Sequence, residues 1–117
     1  MKKSNVPKPT ESELEILQIL WANGPSPVRL VNDKLNEERE VGYTTTLKLM
    51  QIMAEKGLVE RNTESRTHIY TAAVTEADMQ QRLLQKFVDS TFRGSAMNLV
   101  MQALGSQRTS QEELDEI

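Results

Sequence analysis

From Thr10 onward apolar residues fall at Leu14, Ile16, Leu17, Ile19, Leu20 and Trp21, a stripe wide enough to bury a helix on most of its circumference. The start is marked by a capping box, Thr10-Glu11-Ser12-Glu13, in which hydroxyl and carboxylate each satisfy a backbone N–H that the helix leaves free. Asn23-Gly24-Pro25 ends it. A shorter helix restarts at Ser26-Pro27, an N-cap followed by proline in the first turn, and carries Val28, Leu30, Val31 and Leu35 before the charged stretch 36–40. Val41-Gly42-Tyr43 reads as an extended link, with Thr44 placed to cap a third helix that runs to about Lys56 and stops at Gly57. In that helix Leu47, Met50 and Met53 face inward, whereas Leu49 and Ile52 do not fit the same face.

The period then changes. Residues 58–61 read as a strand, 62–66 as a polar turn and 67–73 as a returning strand that contains His68, Ile69 and Tyr70. A second capping pattern, Thr75-Glu76-Ala77-Asp78, opens a helical stripe of Met79, Leu83, Leu84, Phe87, Val88 and Phe92. Gly94-Ser95 breaks it, Met97, Leu99, Val100, Met101 and Leu104 form another apolar segment, and Ser110 is placed to cap a last acidic turn. Helix, helix, helix, hairpin is the element order of a winged helix-turn-helix. The expected fold is mainly α with a small β-hairpin wing: a flexible basic arm over 1–9, a winged-helix domain over 10–73, and a helical dimerisation region over 74–117.

Composition narrows the function. With 117 residues, 38% of them apolar, the chain can build one modest core. Cysteine is absent, which removes disulfides, thiolate nucleophiles and sulfur metal sites, and the single histidine, His68, cannot form a multi-histidine cluster. No metal and no cofactor is expected. Without a glycine-rich phosphate loop, nothing assembles a nucleophile, a base and an oxyanion site, so an enzyme is not expected. No apolar run approaches the roughly 20 residues that span a bilayer, and Met1-Lys2-Lys3 leads into polar residues and prolines, so a cytoplasmic protein without membrane contact is expected. The net charge of −3 argues at first against a nucleic-acid partner. Residues 1–70 are nevertheless balanced at zero, and the excess of acid lies in 71–117.

The third helix holds the informative chemistry. Tyr43, Thr44, Thr45, Thr46, Lys48 and Gln51 cluster in its N-terminal half, where a recognition helix presents short hydroxyls and longer donors to base edges and phosphates. Threonines are mediocre helix formers, so a triplet asks for a further reason. Arg66 in the hairpin turn and Arg61 at its base either reach the DNA backbone or belong to a solvated loop beside Glu60 and Glu64. Arg29 and Lys34 on the second helix are open in the same way, and His68 reads as a sheet residue. The apolar stripe over 79–92, with Leu99, Val100 and Leu104 beyond it, either pairs two copies or packs back onto the winged domain. Pairing suits DNA, because two recognition helices must lie about one helical turn, roughly 34 Å, apart or at a multiple of that distance. The expected function is a homodimeric repressor on palindromic double-stranded operator DNA. A winged-helix protein-interaction module without DNA binding is the alternative.

A helix ending in Leu20-Trp21, then Tyr43-Thr44-Thr45-Thr46-Leu47, Glu55-Lys56-Gly57-Leu58-Val59 and a wing strand ending in Tyr70 together resemble the penicillinase repressor family, the BlaI/MecI-like regulators. The resemblance runs from about Pro9 to the C-terminus. It implies a homodimer joined through C-terminal helices that blocks transcription at a palindromic operator, and a regulatory protease whose cut in the C-terminal region releases the DNA. The matching region here, Met101-Gln102-Ala103-Leu104, lacks the Asn-Phe pair typical of that cut. The cysteine motif of the copper-responsive relatives is missing as well, and Ile52 stands where members often carry an arginine.

Overall fold

In the computed structural model, residues 6–105 are described. Helix α1 spans Glu11–Asn23, α2 Val28–Leu35 and α3 Tyr43–Lys56; strands β1 (Val59–Asn62) and β2 (Ile69–Ala72) follow, then α4 (Glu76–Thr91) and α5 (Ala96–Leu104). The predicted capping box forms: the Thr10 N–H donates to Glu13 Oε1 at 2.9 Å and the Glu13 N–H to Thr10 Oγ1 at 3.2 Å. Gly57 ends α3 at φ 86°, a conformation that costs an L side chain about 1–2 kcal/mol and glycine nothing. The Leu58 N–H then donates to Met53 O, and the chain turns directly into β1.

The two strands are antiparallel, Val59 opposite Ala72 and Asn62 opposite Ile69, so the first is shifted by one residue from the expected 58–61 and the second is shorter than the expected 67–73. His68, expected within the strand, precedes it and is exposed. Ser26 departs further from expectation. Instead of capping α2 it forms a bridge to β2, its N–H donating to Tyr70 O and the Tyr70 N–H returning to Ser26 O at 2.8 Å. Pro27 takes the cap position, with no side-chain cap bond. Thr44 likewise is not the cap of α3, because Gly42 holds that place and the helix begins one residue earlier than Thr44.

The chain divides into two compact units, one ending at Met79 and the other beginning at Gln80. The first has a continuous core of Ile16, Leu17 and Leu20 from α1, Val31 from α2, Met50 and Met53 from α3, Leu58, Val59 and Tyr70 from the hairpin, and Met79. Each such side chain contributes about 1.5–3 kcal/mol when fully buried. The Trp21 indole N–H donates to Val74 O at 2.9 Å and fastens the chain that leaves β2 to α1. Two expected boundaries move: Pro9, assigned to the arm, is buried, and Met79, assigned to the dimerisation region, belongs to the first core. In the second unit Ser95 caps α5 by accepting the Asn98 N–H, and Phe87 meets Phe92 edge to face at 5.6 Å. Residues 1–5 of the arm and the turn expected at Ser110 lie outside the described residues.

Candidate nucleic-acid interface

An α-helix turns about 100° per residue, which sorts the side chains of α3. Thr46, Met50 and Met53 share the buried face. Thr44, Lys48 and Gln51 share the opposite face, all exposed, with Thr45 and Ile52 along its edge. Ile52 is therefore the apolar residue that the core does not accept, at 39% exposure, whereas Leu49 is half-buried.

Thr46 is the correction to the predicted set. It has no exposed surface, and its hydroxyl accepts the Asn32 amide at 2.9 Å and donates to Gly42 O at 3.4 Å. The spacing already carried the signal, since Thr46 stands four residues before Met50 and so beneath it on the same face.

Because α3 starts at Gly42 without a side-chain cap, the backbone N–H groups of its first turn are not taken by a cap, and the positive end of the helix dipole lies there. Tyr43, 43% exposed, lies under the Arg29 guanidinium, which stands 5.2 Å from the ring centroid. Beside it, a cleft of about 390 Å³ runs between α3 and the hairpin, lined by Arg29, Tyr43, Leu47, Gln51, Arg61, Arg66 and His68 among others. Six of the sequence-predicted residues thus sit on one surface: Thr44 and Lys48 on the open face of α3, Tyr43 and Gln51 on its margin in the cleft, and Arg61 and Arg66 across it. Arg29 and His68 join them, and sequence reasoning had left the first open and placed the second in a strand.

Charge is partitioned consistently with this arrangement. Lys34 pairs with Glu37, Arg39 with Glu15 and Lys56 with Glu13. Among the described residues, Arg29, Lys48, Arg61 and Arg66 form no ion pair. The Glu13 carboxyl is enclosed, and burial alone would raise its pKa. The Lys56 ammonium at 2.7 Å and the Thr10 N–H outweigh that effect and hold it below the usual carboxylate range.

Sequence reasoning missed Asn32 of α2 and Asn36, which caps the C-terminal end of that helix. Asn32 lies on the inward face between Val28 and Leu35, and a polar residue on an apolar stripe was the available sign. Its amide donates to Val41 O as well as to Thr46, while Asn36 donates to Val41 O at 2.8 Å and accepts the Val41 N–H at 3.1 Å.

The second unit presents a different surface. Met97, Val100, Met101 and Leu104 form one stripe along α5 and are 47–69% exposed, and Leu84 and Phe87 of α4 are about half exposed. Leu83, Phe92 and Leu99 are half-buried. Val88, expected at the dimer contact, is 4% exposed within the single chain, as Met79 is 1% exposed, so neither side chain is free to meet a partner. Among the described residues there is no group of His, Cys, Asp and Glu that could hold a metal ion, and no helix is long and apolar enough to cross a membrane.

Three helices, the third uncapped at its N-terminus and flanked by a two-stranded wing, define the winged helix-turn-helix class of DNA-binding transcription regulators. The chain belongs to the penicillinase repressor family, whose profile matches residues 9–117, and that family is regulatory rather than catalytic. It is 23% identical to the penicillinase repressor of Bacillus licheniformis over all of this chain and 90% of that protein. To the methicillin resistance regulatory protein MecI of Mammaliicoccus sciuri it is 20% identical, over 92% of this chain and 88% of the relative. The solution structure of the DNA-binding domain of the repressor BlaI shares the fold, with a TM-score of 0.55 and 22% identity over 62% of this chain and 89% of that one.

Proposed function

We propose that this protein is a cytoplasmic transcriptional repressor that binds a palindromic operator as a homodimer, with α3 in the major groove. The observation that carries the reading is the exposed Thr44–Lys48–Gln51 face of α3 set beside a cleft whose arginines pair with no described carboxylate. Thr44, Thr45 and Gln51 offer hydrogen bonds to base edges, and Ile52 offers an apolar contact to a thymine methyl. Lys48, Arg29, Arg61 and Arg66 supply the phosphate contacts, with Tyr43 held against the backbone by its arginine. The apolar stripe of α5 with Leu84 and Phe87 supplies the dimer contact, because a patch of that length is costly to leave in water. Occupying the operator excludes the transcription machinery, which agrees with the names of the relatives. A regulatory protease acting at Gln102-Ala103 has to unwind α5, since that peptide lies inside the helix.

Selection from random duplex DNA at moderate salt tests the reading. The expected product holds two inverted half-sites spaced by about 10 bp or a multiple of it. Enrichment of a single unpaired site would contradict the dimer, and no enrichment would leave a winged-helix protein-interaction module instead.

A further inference from the structure

We infer that Asn32 and Thr46 are positioning residues for DNA binding: they set the rotation of α3 about its own axis and so decide which side chains reach the groove. This inference rests on the DNA-binding reading above. The link between α2 and α3 is poor in apolar anchors, for residues 37–40 are exposed and Val41 is only half-buried. Polar bonds hold it instead. The Val41 carbonyl accepts from both Asn32 and Asn36, at 3.1 and 2.8 Å, and the Val41 N–H donates to Asn36 Oδ1. Asn36 is itself tied to α2 through its bond to Asn32 O at 2.8 Å. Both hydrogens of the Asn32 amide are thus committed, one to the residue that precedes the Gly42 cap and one to Thr46, a turn further into α3.

Two anchors a turn apart define both where the helix starts and how it is rotated. The Met50 and Met53 contacts do not supply this, because apolar packing is non-directional whereas a hydrogen bond weakens steeply off its axis. With side chains included a helix is about 10–12 Å across, so a rotation of about 20° sweeps its outer face by about 2 Å, enough to break a base-edge contact. Thr46 lies nearly opposite Lys48, so what is fixed on the inside is displayed on the outside. An aspartate at position 32 could not serve the Val41 carbonyl, since a carboxylate has no hydrogen to give, and would keep Thr46 only by drawing its hydroxyl hydrogen away from Gly42 O.

The test uses the full chain and a duplex that the wild-type protein enriches from random DNA, with a scrambled duplex of equal length beside it. Asn32→Leu continues the apolar stripe of α2, and Thr46→Val keeps the shape of the side chain without its hydroxyl. Both are measured well below their melting midpoints, where circular dichroism shows them folded. The expected result is about a tenfold loss on the enriched duplex and a smaller loss on the scrambled one, with Thr46→Ser restoring wild-type affinity. A purely structural role would lower the melting midpoint and leave the ratio between the two duplexes unchanged in the folded protein, which overturns the inference. Failure of Thr46→Ser to restore binding while Thr46→Val loses it would also overturn it, because the methyl and not the hydroxyl would then matter. If the wild-type protein enriches no duplex, the DNA-binding reading fails first and this inference with it; wild-type binding with unchanged variants removes the inference alone.

Discussion

Lys48 shows how a single side chain separates affinity from specificity. It is exposed on the open face of α3 and pairs with no described carboxylate, which suits a phosphate contact. Lys48→Ala is expected to weaken binding to selected and scrambled duplexes by similar factors and to reduce the slope of log K against log salt by about 0.9, read from anisotropy titrations. Glu13 carries the opposite kind of role. Its pKa in the folded protein lies below the ordinary value of 4.5, so its contribution to stability is fully present above that value and is lost as pH falls through the folded pKa. Glu13→Gln should therefore lower stability by about 1–2 kcal/mol near neutral pH, with the gap to wild type closing on acidification; thermal melts from about pH 7 to pH 3 read this directly. A gap independent of pH would mean that the Lys56 pair contributes nothing beyond the cap.

At the scale of elements, α1, α3 and the hairpin were legible because their ends carry strong local signals: a capping box, a left-handed glycine and an abrupt change of period. Ser26 was not. Its Ser-Pro context favours an N-cap, yet its hydroxyl donates to Gly24 O and its backbone bonds are to Tyr70, far along the chain, and no local pattern reports a partner at that separation. For α5 the expectation is testable without the rest of the fold, since Val100 and Leu104 are exposed and charge there does not disturb the described packing. The double variant Val100→Glu, Leu104→Glu should sediment as a monomer where wild type sediments as a dimer. Its thermal midpoint should change little beyond the loss of association. A dimer that survives both substitutions would move the pairing surface away from α5.

For the molecule as a whole, the proposed dimer would carry two recognition helices and so impose a geometric condition on DNA. Inserting about 5 bp between selected half-sites places them on opposite faces of the duplex, and inserting about 10 bp restores the face while doubling the reach. Binding to the first should fall to the level of an isolated half-site in a gel shift. Equal affinity for both would mean that the winged units bind independently. The net charge of −3 does not oppose this picture, because the balance over residues 1–70 is zero and the cleft beside α3 is lined by Arg29, Arg61 and Arg66 and by no acidic residue.

Periodicity and end signals by themselves determined the order of the first four helices, the position of the wing and the face of α3 that carries Lys48 and Gln51, since each depends on residues within a few positions of one another. The family resemblance was legible in the same way, from Tyr43-Thr44-Thr45 and Lys56-Gly57-Leu58-Val59. Only the tertiary structure decided that Thr46 faces Asn32 and not the groove, that Met79 and Val88 are already buried in the single chain, and that Arg29 and His68 line one cleft with the wing arginines. The reason is physical. A polar side chain can satisfy its hydrogen bonds with water, DNA or a distant amide at comparable free energy, and which of these it meets is settled by where packing brings the other elements.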